Sequence, residues 1–211
     1  MEKQKYPRTI HFPWSLGITN DDKVAAHFFD GKRVVVTTKM DGENTTCARN
    51  YTHARSLDSA HHWTRDWLKQ WWSTIRYDIP EKHRICGENM YAKHSIYYEN
   101  LPSYFLGFSM WNEENVCLDW DSTLEWFELI GIHPVPVLYE GIYDETLIKS
   151  LWTPDEHNVK EGFVVRLYDA FAYQDFEKWV RKFVRPNHVT TDEHWKHGMI
   201  TINKLAEPCP T

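Results

Sequence analysis

The chain has 211 residues, with 24 Lys and Arg against 30 Asp and Glu and a formal net charge of -6, so any nucleic-acid site must be a local basic patch rather than a global property. Its length suits one compact domain with a proper core, and its 15% aromatic content serves either core packing or the stacking of bases. Four cysteines, Cys47, Cys86, Cys117 and Cys209, stand far apart with no Cys-x-x-Cys pair, which signals neither a zinc site nor a disulfide framework and leaves a reducing cytosol as the default compartment.

Residues 1 to 22 carry no apolar signal-peptide core, and Pro7, Pro13, Gly17 and the Thr19-Asn20-Asp21-Asp22 cluster read as an irregular entry segment. Arg33 to Thr38 is rich in β-branched residues between Asp30-Gly31 and Asp41-Gly42 and predicts a strand, with Thr45 to Asn50 returning as its hairpin partner. From Ser59 to Ile75, Trp63, Trp67, Leu68, Trp71, Trp72 and Ile75 recur at helical spacing, which predicts a helix with its Trp stripe in the core, capped at Asp58 or Ser59. Arg84 to Gly87 and Tyr104 to Trp111 are further strands, and Ser122 to Ile130 is a helix closed by Gly131. Gly162 to Tyr168 and Trp179 to Arg185 are two late strands; the residues from Pro186 onward read as a short cover on the domain, with Leu205 to Thr211 a loose end. No run approaches the roughly 20 apolar residues of a membrane span. Strands and helices do not alternate as βαβ units, so the expected class is α+β with an antiparallel core.

The strand Arg33 to Thr38 delivers Lys39 and Asp41 to a sharp turn at Gly42. A lysine ammonium is no nucleophile at its free pKa of about 10.4. Burial and a neighbouring positive charge or metal lower that value and release the amine. Asp41, two residues on, would share the lysine's side of an extended chain and orient the amine or hold a metal ion's water. The plain alternative is an ordinary hairpin with a solvated lysine and an Asp-Gly turn. Three later stretches weigh against it: Gly87-Glu88-Asn89, Lys160-Glu161-Gly162-Phe163-Val164-Val165-Arg166, and the cation-studded Trp179-Val180-Arg181-Lys182-Phe183-Val184-Arg185.

In that order these stretches resemble the covalent nucleotidyltransferase superfamily of polynucleotide ligases and RNA capping enzymes, and most of all the RNA ligase family with its nick-sealing type of adenylyltransferase domain. The resemblance runs from about residue 6 to residue 197. It implies a nucleotidyltransferase (ATP-grasp-like) fold, antiparallel sheets flanked by helices with the nucleotide in a cleft between them. Lys39-Met40-Asp41-Gly42-Glu43-Asn44 is similar to the motif whose lysine becomes covalently attached to AMP, with Asn44 at an offset typical of RNA ligases. By the same resemblance Arg55 engages phosphate, Glu88 the ribose hydroxyls, and Phe108 stacks on adenine. Glu161, with Asp41, would hold the metal, and Lys182 would contact the nucleotide phosphates. The implied cofactors are ATP and Mg²⁺ or Mn²⁺. The implied activity is the joining of RNA 3′-hydroxyl and 5′-phosphate ends through lysyl-AMP and an adenylylated RNA end, in RNA repair in the cytoplasm, with an accessory RNA-binding or repair protein as a candidate partner.

Some positions depart from the family pattern. Thr38 stands where many relatives place an acid that reads the adenine amino group. The strand that often carries two lysines one residue apart offers only Lys182 at a matching position, with Arg181 or Arg185 left as the second cation. The reading is one nucleotidyltransferase domain over residues 1 to 211 without an appended OB-fold, since 26 residues after Arg185 are too few for one. Rival readings are a GTP-dependent capping-type guanylyltransferase, a DNA ligase-like end-sealing enzyme, and a fold that binds without catalysing. Arg8 and Arg33 are weaker candidate contacts, His94 could line the cleft beside Glu88, and His11 has no assigned role. His61-His62 and His194-x-x-His197 lack further metal-ligand types.

Overall fold

The computed structural model describes residues 2–58, 60–156, 160–186 and 200–207. Along the chain run strands β1 (Ile10–His11), β2 (Arg33–Thr38), β3 (Glu43–Ala48) and β4 (Tyr51–Ala54), then helix α1 (Asp66–Ile75) and strands β5 (Arg84–Asn89), β6 (Phe105–Trp111) and β7 (Val116–Cys117). Helix α2 (Trp120–Ile130), strands β8 (His133–Pro134) and β9 (Val137–Ile142) and helix α3 (Glu145–Ser150) come next. Strands β10 (Gly162–Leu167) and β11 (Phe171–Ala172), helix α4 (Phe176–Trp179) and strand β12 (Val180–Val184) complete the set. Among the described residues the strands form a five-stranded sheet, ordered β1-β12-β10-β2-β9, and a seven-stranded sheet, ordered β11-β7-β6-β5-β3-β4 with β8 beside β6. Pairing is antiparallel except for β1 with β12 and β6 with β8, so the expected α+β class with an antiparallel core holds.

The strand expected at Arg33 to Thr38 has those bounds, but its expected hairpin with Thr45 to Asn50 does not form. β2 pairs with β10 and β9, whereas β3 pairs with β4 and β5 in the other sheet. Residues 39–42 therefore carry the chain from one sheet to the other, and the Asp-Gly pair turns a crossing rather than a hairpin. The predicted helix from Ser59 begins later, as a 3-10 turn at Trp63–Arg65 capped by His62 and then α1; Ser59 itself lies outside the described residues. Trp67, Trp71, Trp72 and Ile75 pack on the core with buried Leu68, as the stripe predicts, while Trp63 is 46% exposed. Helix α2 starts two residues early because Asp119 caps it, Oδ1 accepting from Ser122 N at 2.9 Å; it ends at Gly131, whose φ of +78° only glycine adopts freely.

Two apolar layers back the sheets. Val34, Val36, Phe163, Val165 and Phe183 of the five-stranded sheet pack against Phe12, Phe29 and Ile148 of α3. Cys47, Ile85, Phe105 and Met110 of the other sheet pack against Leu68 of α1 and Phe127 and Ile130 of α2. A third cluster, with Cys86, Trp111, Cys117, Phe171, Phe176 and Val180, draws from both sheets and closes the deep end of the space between them. Leu205, expected within a loose end, instead forms a bridge with Leu101, and Ile202 one with Ala92. No helix of the described residues is long and apolar enough to cross a membrane.

Gly162 fixes how β10 begins. Its φ is +153°, and a Cβ there would lie 2.0 Å from the carbonyl oxygen of Phe183 on β12. Gly162→Ala is expected to cost about 3 kcal/mol through backbone strain and overpacking, a fall of roughly 6–12 °C in Tm by thermal denaturation. An unchanged Tm would show that β12 yields without cost.

Candidate active site

The strand register places the site. β2, β10 and β12 lie side by side, and Thr37, Val164 and Lys182 form one cross-strand row. Successive side chains of a strand point to opposite faces, so this row faces away from the Val165 and Phe183 core and into the space between the sheets. That space is a cleft of about 530 Å³ lined by Thr37, Thr38, Lys39, Val164 and Lys182 from one sheet and by Asn44, Glu88 and Phe108 from the other. In the second sheet Asn44 stands opposite Glu88 on β5. Phe108 reaches the cleft through a bulge: Cys86 pairs with Ser109 and Gly87 with Gly107, leaving Phe108 as the extra residue of β6.

Lys39 sits where β2 ends, its backbone N–H bonded to the carbonyl of Gly162 at 2.9 Å. Its Nζ donates to Glu161 Oε2 at 2.5 Å, with side-chain exposures of 25% and 8%. Burial alone would lower the lysine pKa, but the carboxylates of Glu161, Glu88 and Asp41 outweigh it and hold the ammonium above its ordinary value. The expectation that burial releases the amine is thus reversed in this structure by the three acids around it. Glu88 answers in the opposite sense. Burial first, then the nearby charges of Glu161 and Asp41, push its carboxyl up to about 8 against the pull of Lys39, so at neutral pH it carries its proton and can donate as well as accept. Lys182 is pushed down to about 8 by burial and by the charge of Lys39.

Asp41 takes a different place from the one expected. Residues 39–42 are not strand, so the same-side argument does not apply. Asp41 Oδ2 accepts the backbone N–H groups of Ser95 at 2.7 Å and Ile96 at 2.8 Å, and its own N–H donates to the Tyr98 hydroxyl at 3.1 Å. Arg55 is exposed at the cleft rim, its N–H on the Asn44 carbonyl at 3.0 Å. His94 also lines the cleft. Neither Arg181 nor Arg185 is among the lining residues: Arg181 falls on the opposite face of β12 from Lys182, and Arg185 follows the end of that strand. Arg181 spends its guanidinium on backbone carbonyls, including Val180 at 2.9 Å and Ala26 at 2.7 Å. The position two residues on from Lys182 on its own face is Val184, so the second cation of the family pattern has no counterpart there. Arg33 lies over the Tyr168 ring at 3.5 Å and pairs with Glu140, away from the cleft. His194 and His197 lie outside the described residues.

Several lining residues were not singled out from the sequence. Arg65 holds Glu43 through two bonds, Nε to Oε2 at 2.6 Å and Nη2 to Oε1 at 2.5 Å, joining the turn before α1 to the start of β3. Arg166, 5% exposed, leaves Nη1 without a hydrogen-bond partner among the described residues, a donor at the closed end of the cleft. Tyr6 packs edge-on against Phe108, ring centres 5.2 Å apart. Asp22 gathers Arg8 at 2.9 Å, Thr19 Oγ1 at 2.8 Å, His11 Nε2 at 3.3 Å and Lys182 Nζ at 4.0 Å. Burial would raise its carboxyl, but the bonds from Thr19 and Arg8 and the field of His11 hold it well below the usual range. This gives His11 a place beside Asp22, and β1 pairs His11 directly with Lys182. Only an Asp–Asn turn cluster marked Asp22 in the sequence; its partners are distant along the chain.

The sequence profile of the RNA ligase family matches residues 32–184. The chain belongs to the RNA ligase family. In fold it is similar to an archaeal ATP-dependent RNA ligase, with a TM-score of 0.56 and 16% identity over 87% of this chain and 48% of that one. It is likewise similar to a lysine-to-alanine mutant of Naegleria gruberi RNA ligase with ATP and Mn, with a TM-score of 0.54 and 16% identity over 74% of this chain and 50% of that one. The chain thus spans about half the length of these RNA ligases and shares their nucleotidyltransferase fold. Among curated proteins none matches.

Among the described residues no group of three His, Cys, Asp or Glu side chains forms a ready-made metal site. Magnesium characteristically takes one or two protein carboxylates and completes its shell with phosphates and water. Glu161, a buried carboxylate that faces the Lys39 ammonium, suits that mode.

Lys182 must carry its proton to meet a phosphate. ATP affinity, measured by titration without divalent cation, is therefore expected to weaken as pH rises through about 8, where Lys182 loses its positive charge and Glu88 becomes negative. Lys182→Arg, whose guanidinium stays charged, is expected to retain affinity at a pH about one unit higher better than the unmodified chain. Equal profiles would show that Lys182 does not meet the phosphates.

Proposed function

We propose that this chain is the adenylyltransferase portion of an ATP-dependent RNA ligase, with Lys39 as the residue that carries AMP. The observation that carries the reading is the Lys39–Glu161 pair, its lysine partly buried and its glutamate buried, in a cleft whose walls bring a cation, Lys182, a stacking ring, Phe108, and a protonated carboxyl, Glu88, within one space. Phe108 and Val164 would take the two faces of adenine, and Glu88, protonated, would donate to a ribose hydroxyl. Lys182 and Arg55 would neutralise phosphate oxygens. Lys39 Nζ, having given up its proton, attacks the α-phosphorus; the N–P bond forms as the P–O bond to pyrophosphate breaks. AMP then passes to a 5′-phosphate on RNA, freeing the lysine. A 3′-hydroxyl attacks that activated phosphate, and AMP leaves as the phosphodiester forms.

Glu161 would hold Mg²⁺ or Mn²⁺. The cation would supply charge that offsets the carboxylates now keeping Lys39 protonated and the charge that develops on the phosphate. Glu161 itself positions Nζ by its hydrogen bond and is near enough to receive the lysine's proton. Asp41 orients the nucleophile's loop through its backbone partners. Repair of broken RNA in the cytoplasm, with an accessory RNA-binding protein, is the role that this chemistry and the acidic net charge of -6 suit.

The test is incubation with α-labelled ATP and divalent cation before denaturing electrophoresis, with labelled GTP in parallel because Thr38 replaces the acid that reads adenine in many relatives. A labelled band from ATP that disappears in Lys39→Ala is the expected result. Glu161→Ala is expected to slow its formation by about 100-fold or more, the scale seen on losing one preorganised electrostatic contact. Label from GTP alone, or a band that survives Lys39→Ala, would sink the assignment.

A further inference from the structure

Between β5 and β6 the chain runs irregularly through residues 90–104, a stretch whose backbone groups need partners from elsewhere. They find them in residues 201–206. Lys93 N donates to the Thr201 carbonyl at 2.8 Å, Asn203 N to that of Tyr91 at 3.1 Å, Lys204 N to that of Tyr98 at 2.9 Å, and Leu101 N to that of Lys204 at 3.0 Å.

Asn203 is the centre of this seam. It is 1% exposed, and its amide is used from both ends: Nδ2 donates to the Met90 carbonyl at 2.7 Å, and Oδ1 accepts from Tyr98 N at 2.9 Å. Its own carbonyl accepts from the Tyr104 hydroxyl at 2.8 Å. A side-chain amide offers a donor and an acceptor on one planar group, so Asn203 serves the Met90 carbonyl and the Tyr98 N–H together, as a strand residue would.

The far side of the bridged segment touches the nucleophile's loop. The Tyr98 hydroxyl accepts the Asp41 N–H, and Asp41 Oδ2 holds the N–H groups of Ser95 and Ile96. Met40 is packed in one apolar cluster with Met90, Leu101, Leu106 and Val135, flanked by Tyr98 and Tyr104. Lys39 comes after β2 and precedes this anchored loop, so its position depends on β10 on one side and on residues 95–98 on the other.

We propose that residues 200–207 are a clasp for the nucleophile, with Asn203 a positioning residue that acts on Lys39 through Tyr98 and Asp41. Asn203 is not among the residues that line the cleft. The inference rests on the reading of Lys39 as the AMP carrier. Loss of the amide leaves the Met90 carbonyl and Tyr98 N–H unpaired and lets the 95–98 turn shift, which moves Asp41 and with it the line of attack of Nζ.

The experiment compares the unmodified chain with Asn203→Ala, Tyr98→Phe and the double variant. It measures single-turnover formation of the lysyl-AMP adduct over a range of ATP, thermal stability, and amide hydrogen exchange. Asn203→Ala is expected to lower the rate at saturating ATP about tenfold, with half-saturating ATP changed less than about twofold, as for a misaligned nucleophile. Tyr98→Phe is expected to slow the same step, and the double variant to be no slower than the worse single, because both act along one path. The Asp41, Ser95 and Ile96 amides are expected to exchange faster in Asn203→Ala. A purely structural Asn203 would lower Tm and leave the saturated rate of folded protein unchanged; that outcome, or two losses that multiply in the double variant, overturns the proposal. Should Asn203→Ala fail to fold, Tyr98→Phe alone decides: an unchanged saturated rate refutes the clasp. Absence of any adduct in the unmodified chain would refute the role of Lys39 instead. Exchange would still test the clasp, since unchanged protection at Ser95 and Ile96 in Asn203→Ala, or in Tyr98→Phe at Asp41, counts against it.

Discussion

Lys39 and Glu161, 122 positions apart in sequence, share a hydrogen bond of 2.5 Å in a space where neither charge would be stable by itself. A buried lone ammonium or carboxylate would neutralise; a buried pair persists only while both partners are held in register. The register is supplied by backbone. Lys39 N–H is tied to the Gly162 carbonyl, and the Glu161 carbonyl accepts the Arg185 N–H, so the pair sits where β2, β10 and β12 are laced together at one end. Gly162 makes that lacing close enough, because a side chain there would collide with β12.

From this end of the five-stranded sheet the chain must cross to the other sheet, and the crossing makes the cleft. Residues 39–42 span it, and the next two, Glu43 and Asn44, begin β3 on the opposite wall. The two walls then contribute different chemistry. The β2–β10–β12 wall offers cations and an aliphatic face, Lys39, Lys182 and Val164. The β3–β5–β6 wall offers the Asn44 amide, the raised carboxyl of Glu88 and the bulged Phe108. Burial first and then like charges, Glu161 and Asp41 for Glu88 and Lys39 for Lys182, bring the two groups to about 8 from opposite directions. A site tuned in this way responds strongly to a phosphate or a cation, since either removes part of the balance that holds the other groups.

Much of the cleft's inventory was legible in the sequence because its parts are local. Lys39 before a turn, Glu88 after Gly87, Glu161 before Gly162 and Lys182 in a cationic strand each stand in or at the end of a strand, where short-range pattern and spacing are informative. Helix α2 was legible for the same reason, from its adjacent apolar spacing and terminal glycine, although its Asp119 cap was not read. What escaped were contacts made between distant segments. Asp22 looked like a turn residue, yet it faces Arg8, His11 and Lys182. Arg65 drew no reading from the sequence, yet it grips Glu43. Strand β9 carries Gly141 and comes after Pro134 and Pro136 on a mostly exposed edge, so neither alternation nor a buried run announced it.

The amino-acid sequence by itself determined the class of the fold, most strand and helix positions, and most of the singled-out side chains that meet in the cleft, because propensity, periodicity and motif spacing act within a few residues. Tertiary structure alone decided how those pieces face one another. It turned an expected β2–β3 hairpin into a crossing between sheets and set Asp41 against residues 95–98. It placed Arg181 and Arg185 away from the cleft lining that Lys182 joins, and it drew residues 200–207 onto the segment that anchors the Asp41 loop. Each of these arises from side-chain direction and long-range hydrogen bonding, which depend on register across strands far apart in the chain and leave no trace in local composition.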